Sequence, residues 1–504
     1  MACEKSWAGP FREKALPILV RAEPEFAEFY DEGAGRPNRP VALVMGTLIL
    51  KEANDLTDEE ALDALRFDTR WWCAFELDPD EADLCQKTLH NFRAKLMASG
   101  KGKLAFRRIT DELIAALGVR IDRQRLDSTH ILSNFARLNR LGLFCETIRV
   151  FLHALYKGHR DLHDRLPAGL LKRHGEQSWY RDARREEGPR RLRVVARDLY
   201  RLVERFSGHR AISKMEEFKL LERLLSEQCT IGARAVKPRD DDDDRDDGDA
   251  PVDLKDPKEI GGNSLQTPHD PEVTYSGHKG QGYEALIAET CDPDNAVQLI
   301  THASLERSCE GDAERVAPTV EALAAREIAP EELLADTAFG SVENVAGCAR
   351  QGVELIAPQP GSAGTEAAAP TLCVRDAEFT VQLVPSQPPS TCPCGVTALQ
   401  TVLRDDPQDG PVALLQLPTA CCVRCRRRSW CPALTVESGK TRREPLGRTT
   451  LALIALKANL PSRRRAAEQT EAFRERYAPR AGIEATNSEL KRGQGLGDLR
   501  VRGA

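Results

Sequence analysis

Residues 240–249, near the middle of the chain, hold eight aspartates and one arginine. Such a run repels itself and has almost nothing apolar to bury, so it cannot enter a core. Whatever folds must fold on either side of it, and segment 232–268 is expected to be a disordered acidic linker. At 504 residues the chain is also too long for one ordinary core, so two to four folding units are expected. The run distorts the charge balance as well. It supplies −7 of a formal net charge of −6, which leaves the rest of the chain at about +1. Arginine clusters elsewhere, at 184–185, 190–191, 424 with 426–428, 442–443 and 463–465. Local basic patches bind phosphate backbones even at a net charge near zero, and arginine-rich stretches equally serve as solvated helix faces.

Hydrophobic residues make up 41% and charged residues 30%, the balance of a water-soluble globular protein. The longest mainly apolar run, 41–50, is far too short to cross a bilayer. Residues 1–14 lack the basic-then-apolar order of a secretory signal, so a cytoplasmic protein is expected. In that setting the fifteen cysteines read as free thiols or metal ligands, not disulfides. Cys73, Cys145 and Cys291 stand alone and read as small core residues.

Periodicity predicts a small helical unit over 10–100, with helices at 15–30 and 40–54. Thr57 and Glu60 form a capping-box pattern for the next helix. Asp78, Pro79 and Glu81 read as the start of another, running through Thr88, Phe92 and Leu96. The pattern then changes. Segment 118–127 alternates at Val119 and Ile121 and predicts a strand with Asp127 near its end, the first part (110–135) of an α/β core. A helical insertion is predicted over 136–231 and the linker over 232–268. The central core, 269–358, is predicted to have strands at 272–275, 283–289 and 296–303 and a helix at 312–327. A short buried strand at 332–336 ends on Asp336, followed by a helix at 341–352 and a strand at 353–357. Residues 359–440, rich in Pro, Gly and Cys, read as a separate inserted unit. Segments 449–458 and 463–490, in a C-terminal region 441–504, read as mainly helical, with Pro479 as a break.

Acids at strand ends suit phosphoryl transfer, because two divalent ions about 4 Å apart can clamp the attacking and leaving oxygens of a phosphodiester. Mg²⁺ takes carboxylate oxygens and keeps some of its waters, so two or three acids suffice. An Asp at a strand end also serves as a capping or turn residue. The last helical segment is more distinctive. Tyr477, Arg480, Glu484 and Lys491 are spaced three, four and seven apart and fall on one narrow stripe, shared by Ser488. An aromatic, a guanidinium, a carboxylate and an ammonium do not make a core-facing stripe. They make either a solvated face, with Glu484 paired to Arg480, or a site in which Glu484 holds metal and the cations touch phosphates.

The spacing Tyr-x2-Arg-x3-Glu-x6-Lys resembles the signature of a group of bacterial insertion-sequence DDE transposases with a ribonuclease H-like core. Segment 125–130 resembles that group's first catalytic strand and segment 334–341 its second catalytic block. Segment 270–280 resembles the strand pair between them, and the stretch through 88–93 its N-terminal helical domain. The resemblance implies an α/β fold of ribonuclease H type, interrupted by insertions and preceded by an all-helical DNA-binding domain. It implies that Asp127, Asp336 and Glu484 are the catalytic, Mg²⁺-binding (or Mn²⁺-binding) acids, and that Tyr477, Arg480 and Lys491 position DNA. Lys279 and His278 are expected to touch phosphate. The implied activity is metal-dependent cleavage at the ends of an element, followed by attack of the freed 3′-hydroxyl on target DNA. The implied partners are element ends, target DNA and a second copy of the chain, in a bacterial cytoplasm close to the nucleoid. A catalytically inactive DNA-binding relative is the alternative.

Cys392, Cys394, Cys422, Cys425 and Cys431 resemble a zinc-ribbon or zinc-knuckle arrangement, since a Cys-x2-Cys pair fits the bite of a tetrahedral ion. The expected zinc set is Cys392, Cys422, Cys425 and Cys431, with Cys394 or Cys421 spare. The alternative is a set of unligated thiols. Arg424 and 426–428 beside them suit contact with DNA.

Overall fold

The computed structural model describes residues 5–29, 39–134, 138–175, 188–232, 251–361, 376–428, 431, 436–437, 440–441, 449–497 and 499. Among the described residues every regular element before residue 118 is helical: Leu16–Ala22, Val41–Ala53, Asp58–Phe67, Thr69–Phe75, Gln86–Ala98 and Lys101–Leu117 are the α-helices of more than one turn. Thr57 forms the expected capping box, accepting from the Glu60 N–H at 3.2 Å while Glu60 accepts from the Thr57 N–H at 2.8 Å. Two expectations are corrected. Asp78 and Pro79 make a turn, not a helix start. Ala82 and Leu84 are buried two positions apart, as in extended chain, and the helix begins only at Gln86. Nor does the helical stretch stop at 100–102. Gly100 takes the left-handed conformation, φ +68°, and leads straight into Lys101–Leu117. Trp71, Phe26, Leu65 and Leu89 centre this core.

The strands, in chain order, are β1 (Arg123–Ile131), β2 (Cys229–Ile231), β3 (Val252–Leu254), β4 (Thr274–Ser276), β5 (Gly280–Thr290), β6 (Ile300–Arg307), β7 (Glu332–Ala335) and β8 (Glu354–Ile356). They continue with β9 (Gln400–Asp406), β10 (Gly410–Pro418), β11 (Val436–Glu437), β12 (Lys440–Thr441) and β13 (Thr449–Ala455). The fold is thus mixed α/β. No helix among the described residues is long and apolar enough to cross a membrane.

Contacts divide the chain into two units. The first comprises residues 1–128, 286–304 and 312–494. Its sheet places β1 between β5 and β7, with β6 beyond β5 and β8 beyond β7. β1, β7 and β8 run parallel, in the register Leu126↔Ala335 and Leu333↔Leu355. β1 starts later than the sequence suggests. Val119 closes the preceding helix by donating to the Ile114 carbonyl, so pairing begins at Arg123 and Asp127 lies inside the strand.

Residues 359–440 are not a separate unit, and 449–455 are not helical. β13 pairs antiparallel with β10, and β10 with β9. Ala413, Leu415, Leu417, Ala452 and Ile454 share one core with Leu126, Leu333, Ala335 and Leu355. An apolar run such as 449–455 reads equally as helix or strand by periodicity, and here its pairing partner decides.

The second unit comprises residues 129–285, 305–311 and 495–504. Four helices, Arg140–Gly158, Ala168–Gly175, Gly188–Phe206 and Glu216–Gln228, bury Phe144, Phe151, Leu199 and Phe218. β2 pairs with β3, and β4 with the opening of β5. The acidic run 240–249 lies outside the described residues. The expected linker is shorter at its far end. From 252 the chain is paired with β2, and Leu265 and Thr267 are fully buried.

Candidate active site

β1 alternates, so Gln124 and Leu126 are buried in the core while Arg125 and Asp127 leave the opposite face. The parallel register carries this one step further. Beyond the pair Leu126↔Ala335, Asp127 comes opposite Asp336, the first residue after β7. Asp336 also caps the turn Thr337–Phe339, accepting from the Ala338 N–H at 2.8 Å, so its capping role and its place in the site coexist. Glu484 sits in the first turn of the helix Gly482–Arg492, where the helix dipole favours an acid.

Arg480 joins the three acids. Its Nη2 lies 3.2 Å from Asp127 Oδ1 and 3.8 Å from Asp336 Oδ2, and its Nη1 lies 2.9 Å from Glu484 Oε1. The Arg480–Glu484 pairing expected of a solvated face is present, but Arg480 is only 14% exposed and reaches all three carboxylates. Glu484 itself is 67% exposed, so its arm of the cluster contributes little. Burial pushes the Asp127 carboxyl above the ordinary carboxylate range. Arg480 opposes that shift, and Asp336 and Glu484 add to it. Burial also raises the Tyr477 phenol, which feels Arg480 and the same three acids. Tyr477 ends the helix Glu471–Tyr477, stacks on Phe473 at 5.6 Å and packs on Cys291, Leu334 and Ile356. Residues 478–481 form a tight 3₁₀ turn around Pro479, so the stripe runs through two helices and a turn. Lys491 lies two turns beyond Glu484, about 10 Å along the axis.

Several residues of the site were not singled out from the sequence. Asn487 donates from Nδ2 to Asp127 Oδ2 at 3.0 Å, and its Oδ1 is buried without a partner. It lies one helical turn after Glu484, so position on the motif helix could have indicated it. Arg125 donates from Nε to Glu289 at 2.6 Å and from Nη1 to the Pro479 carbonyl at 2.7 Å. The Thr486 hydroxyl meets both Glu289 oxygens at 2.9 Å. This brace ties β1 and β5 to the motif helix. Strand alternation beside Asp127 signals Arg125, but nothing local marks Glu289.

Other predicted positions are elsewhere. Lys279 belongs to the second unit, where its Nζ pairs with the buried Glu284 at 2.9 Å, and His278 is exposed in the same turn. Arg463, Arg464 and Arg465 are engaged within the fold. They donate to backbone carbonyls: Arg463 to Phe379, Arg464 to Gly340 and Ala357, and Arg465 to Pro360 and Gly361. Arg442 and Arg443 lie outside the described residues, as do Arg184 and Arg185. All six cysteines of the predicted cluster region, Cys392, Cys394, Cys421, Cys422, Cys425 and Cys431, line one cavity of about 390 Å³.

The chemistry of the acids suits a hard divalent cation, since three carboxylates face a single guanidinium and an unpartnered amide oxygen lies on the neighbouring Asn487. Among the described residues no three carboxyl, imidazole or thiol groups yet surround a common point. At the acids, that point is held by Arg480.

Comparison with known families gives two matches. A family described as a transposase DDE domain matches residues 391–504, which includes the cysteine cluster and Glu484 but neither Asp127 nor Asp336. A family described as a transposase domain (DUF772) matches residues 13–95, within the N-terminal helices. No curated protein and no solved structure matches.

Proposed function

We propose that the chain, parts of which match two transposase families, is an insertion-sequence DDE transposase that cuts DNA at the ends of an element and joins them to target DNA at the site built by Asp127, Asp336 and Glu484. The observation that supports this reading is the convergence of three sequence-distant acids on Arg480. A ribonuclease H-like core accords with the mixed sheet, in which two acids are set side by side by parallel pairing of β1 and β7. Asp127, Asp336 and Glu484 would hold Mg²⁺ or Mn²⁺, which when bound supplies charge stabilisation at the attacking and leaving oxygens.

The chain's own groups have separable tasks. Asn487 fixes the rotamer of Asp127 through its amide. Arg480 offsets the mutual repulsion of the acids and keeps them gathered. Arg125, Glu289 and Thr486 hold the motif helix against the strands, so Glu484 keeps its distance from the two aspartates. Tyr477 and Lys491 contact the DNA backbone along the motif stripe, and the N-terminal helices bind DNA. Paired DNA ends call for at least a dimer.

The test is strand transfer by the full chain, using linear duplex from the sequence flanking its own gene and a supercoiled plasmid as target. Joined products that require Mg²⁺ or Mn²⁺ and vanish in Asp127→Asn support the proposal. Binding of the same duplex with no joined or nicked product would mark the inactive DNA-binding relative instead.

A further inference from the structure

The phosphoryl-transfer reading leaves the cysteine cluster without a role. The fold brings it together from two places. Cys392 and Cys394 lie in the tight turn before β9, where Gly395 adopts φ +79°. Cys421 and Cys422 lie on the helical turn Thr419–Val423 directly after β10, with Cys425 and Cys431 following. β9 and β10 are antiparallel and register Gln400 with Gln416, so the start of one strand adjoins the end of the other. The two cysteine groups therefore meet at one edge of the sheet.

Exposure sorts the six. Cys392, Cys422, Cys425 and Cys431 are half-buried, while Cys394 and Cys421 are exposed. Cys392, Cys422 and Cys431 also pack against the main core. Cys394 Sγ lies 3.2 Å from Cys425 Sγ with no bond between them. Two thiolates on one tetrahedral zinc ion lie about 3.8 Å apart, given Zn–S bonds of about 2.3 Å. That close pair includes Cys394, outside the half-buried four, and no three groups among the described residues surround a common point; what gathers the four is the single cavity that all six cysteines line.

We propose that Cys392, Cys422, Cys425 and Cys431 bind one structural zinc ion, which closes the β9–β10 end and fixes the loop that presents Arg424 and Arg426 to solvent. Cys394 and Cys421, the two exposed cysteines of the cavity, stand outside the ligand set. The site is independent of the carboxylate chemistry, so its failure would leave the proposed activity standing.

The experiment is elemental analysis of the full chain after dialysis against a weak chelator, with cobalt substitution as a second readout. Expected are one zinc ion per chain, at least a tenfold loss of it in Cys425→Ser and Cys422→Ser, and retention in Cys394→Ser, Cys421→Ser and Cys85→Ser. Because a serine variant can misfold, wild-type chain refolded with Co²⁺ should also show thiolate-to-cobalt charge-transfer bands and tetrahedral visible bands. Absence of both zinc and the cobalt spectrum in folded wild-type chain would overturn the proposal. So would a Cys394–Cys425 disulfide found in freshly purified protein without metal, or zinc lost in Cys394→Ser but kept in Cys431→Ser.

Discussion

Asp127 is a carboxylate that the ion-free fold holds at a disadvantage. Burial, then the nearby acids, raise its affinity for a proton in the folded state despite Arg480. The fold therefore binds that proton more tightly than the unfolded chain does. The associated stability is present below the ordinary Asp value, about 4, and is lost as the pH rises through the raised folded value. Asp127→Asn removes the charge and keeps a polar group of the same shape. In EDTA at pH 7 the variant is expected to be more stable than wild type by about 1 kcal/mol, an advantage that shrinks toward pH 4, while strand transfer is lost. Urea melts at the two pH values measure it, and an Asn variant less stable at both would contradict the sign. Arg480→Ala acts in the opposite direction. It leaves Asp127, 13% exposed, and Asp336 without their shared cation, at a cost of about 2 kcal/mol in EDTA. Added Mg²⁺ should then raise the melting temperature more in the variant than in wild type. An equal rise in both would mean that Arg480 does not stand in for the ion's charge.

At the scale of elements, the site depends on one close approach. Gly482 opens the motif helix, and a Cβ there would overlap the Arg125 guanidinium. Arg125 cannot yield freely, because Glu289 and the Pro479 carbonyl hold it, and Glu289 is in turn fixed by Thr486. Gly482→Ala is expected to cost about 2 kcal/mol by overpacking and to slow strand transfer, since the displaced helix carries Glu484. Thermal melting together with the transfer rate checks it, and a variant with a normal melt and normal rate would show that the brace is dispensable. The same scale shows which features the sequence disclosed. Thr57 and Glu60, Asp336 at its strand end and the 477–491 spacing were legible because each rests on residues a few positions apart. Gly100 as a helix entry, the late start of β1 and the strand at 449–455 were not, because each is decided by what the segment meets in the fold. Glu289 was illegible for the same reason, since its meaning comes from Arg125 and Thr486, 164 and 197 positions away.

At the scale of the molecule, composition marked the acidic run as a divider, yet the described residues on both sides of it belong to the second unit, where β2 pairs with β3; it also misjudged the cysteine-bearing region, because richness in Pro, Gly and Cys resembles an independent insert. Its strands instead complete the main core. Leu415 and Ile454, both fully buried, lie in one cluster with Leu333 and Ala335, the residues that lead to Asp336. If that core is continuous, loosening β10 must loosen β7. Leu415→Ala should cost about 2–5 kcal/mol, the range for a large-to-small change at a fully buried site. The loss should be shared, because residues packed in one core open together as a cooperative unit. Native-state hydrogen exchange can separate the alternatives. Amides of β7 and β10 are expected to lose protection by similar factors in Leu415→Ala, and those of the helices Arg140–Gly158 and Glu216–Gln228, whose core is a different cluster, to change less. Faster exchange confined to β9, β10 and β13, with β7 unchanged, would instead make residues 391–455 an autonomous module beside the acids.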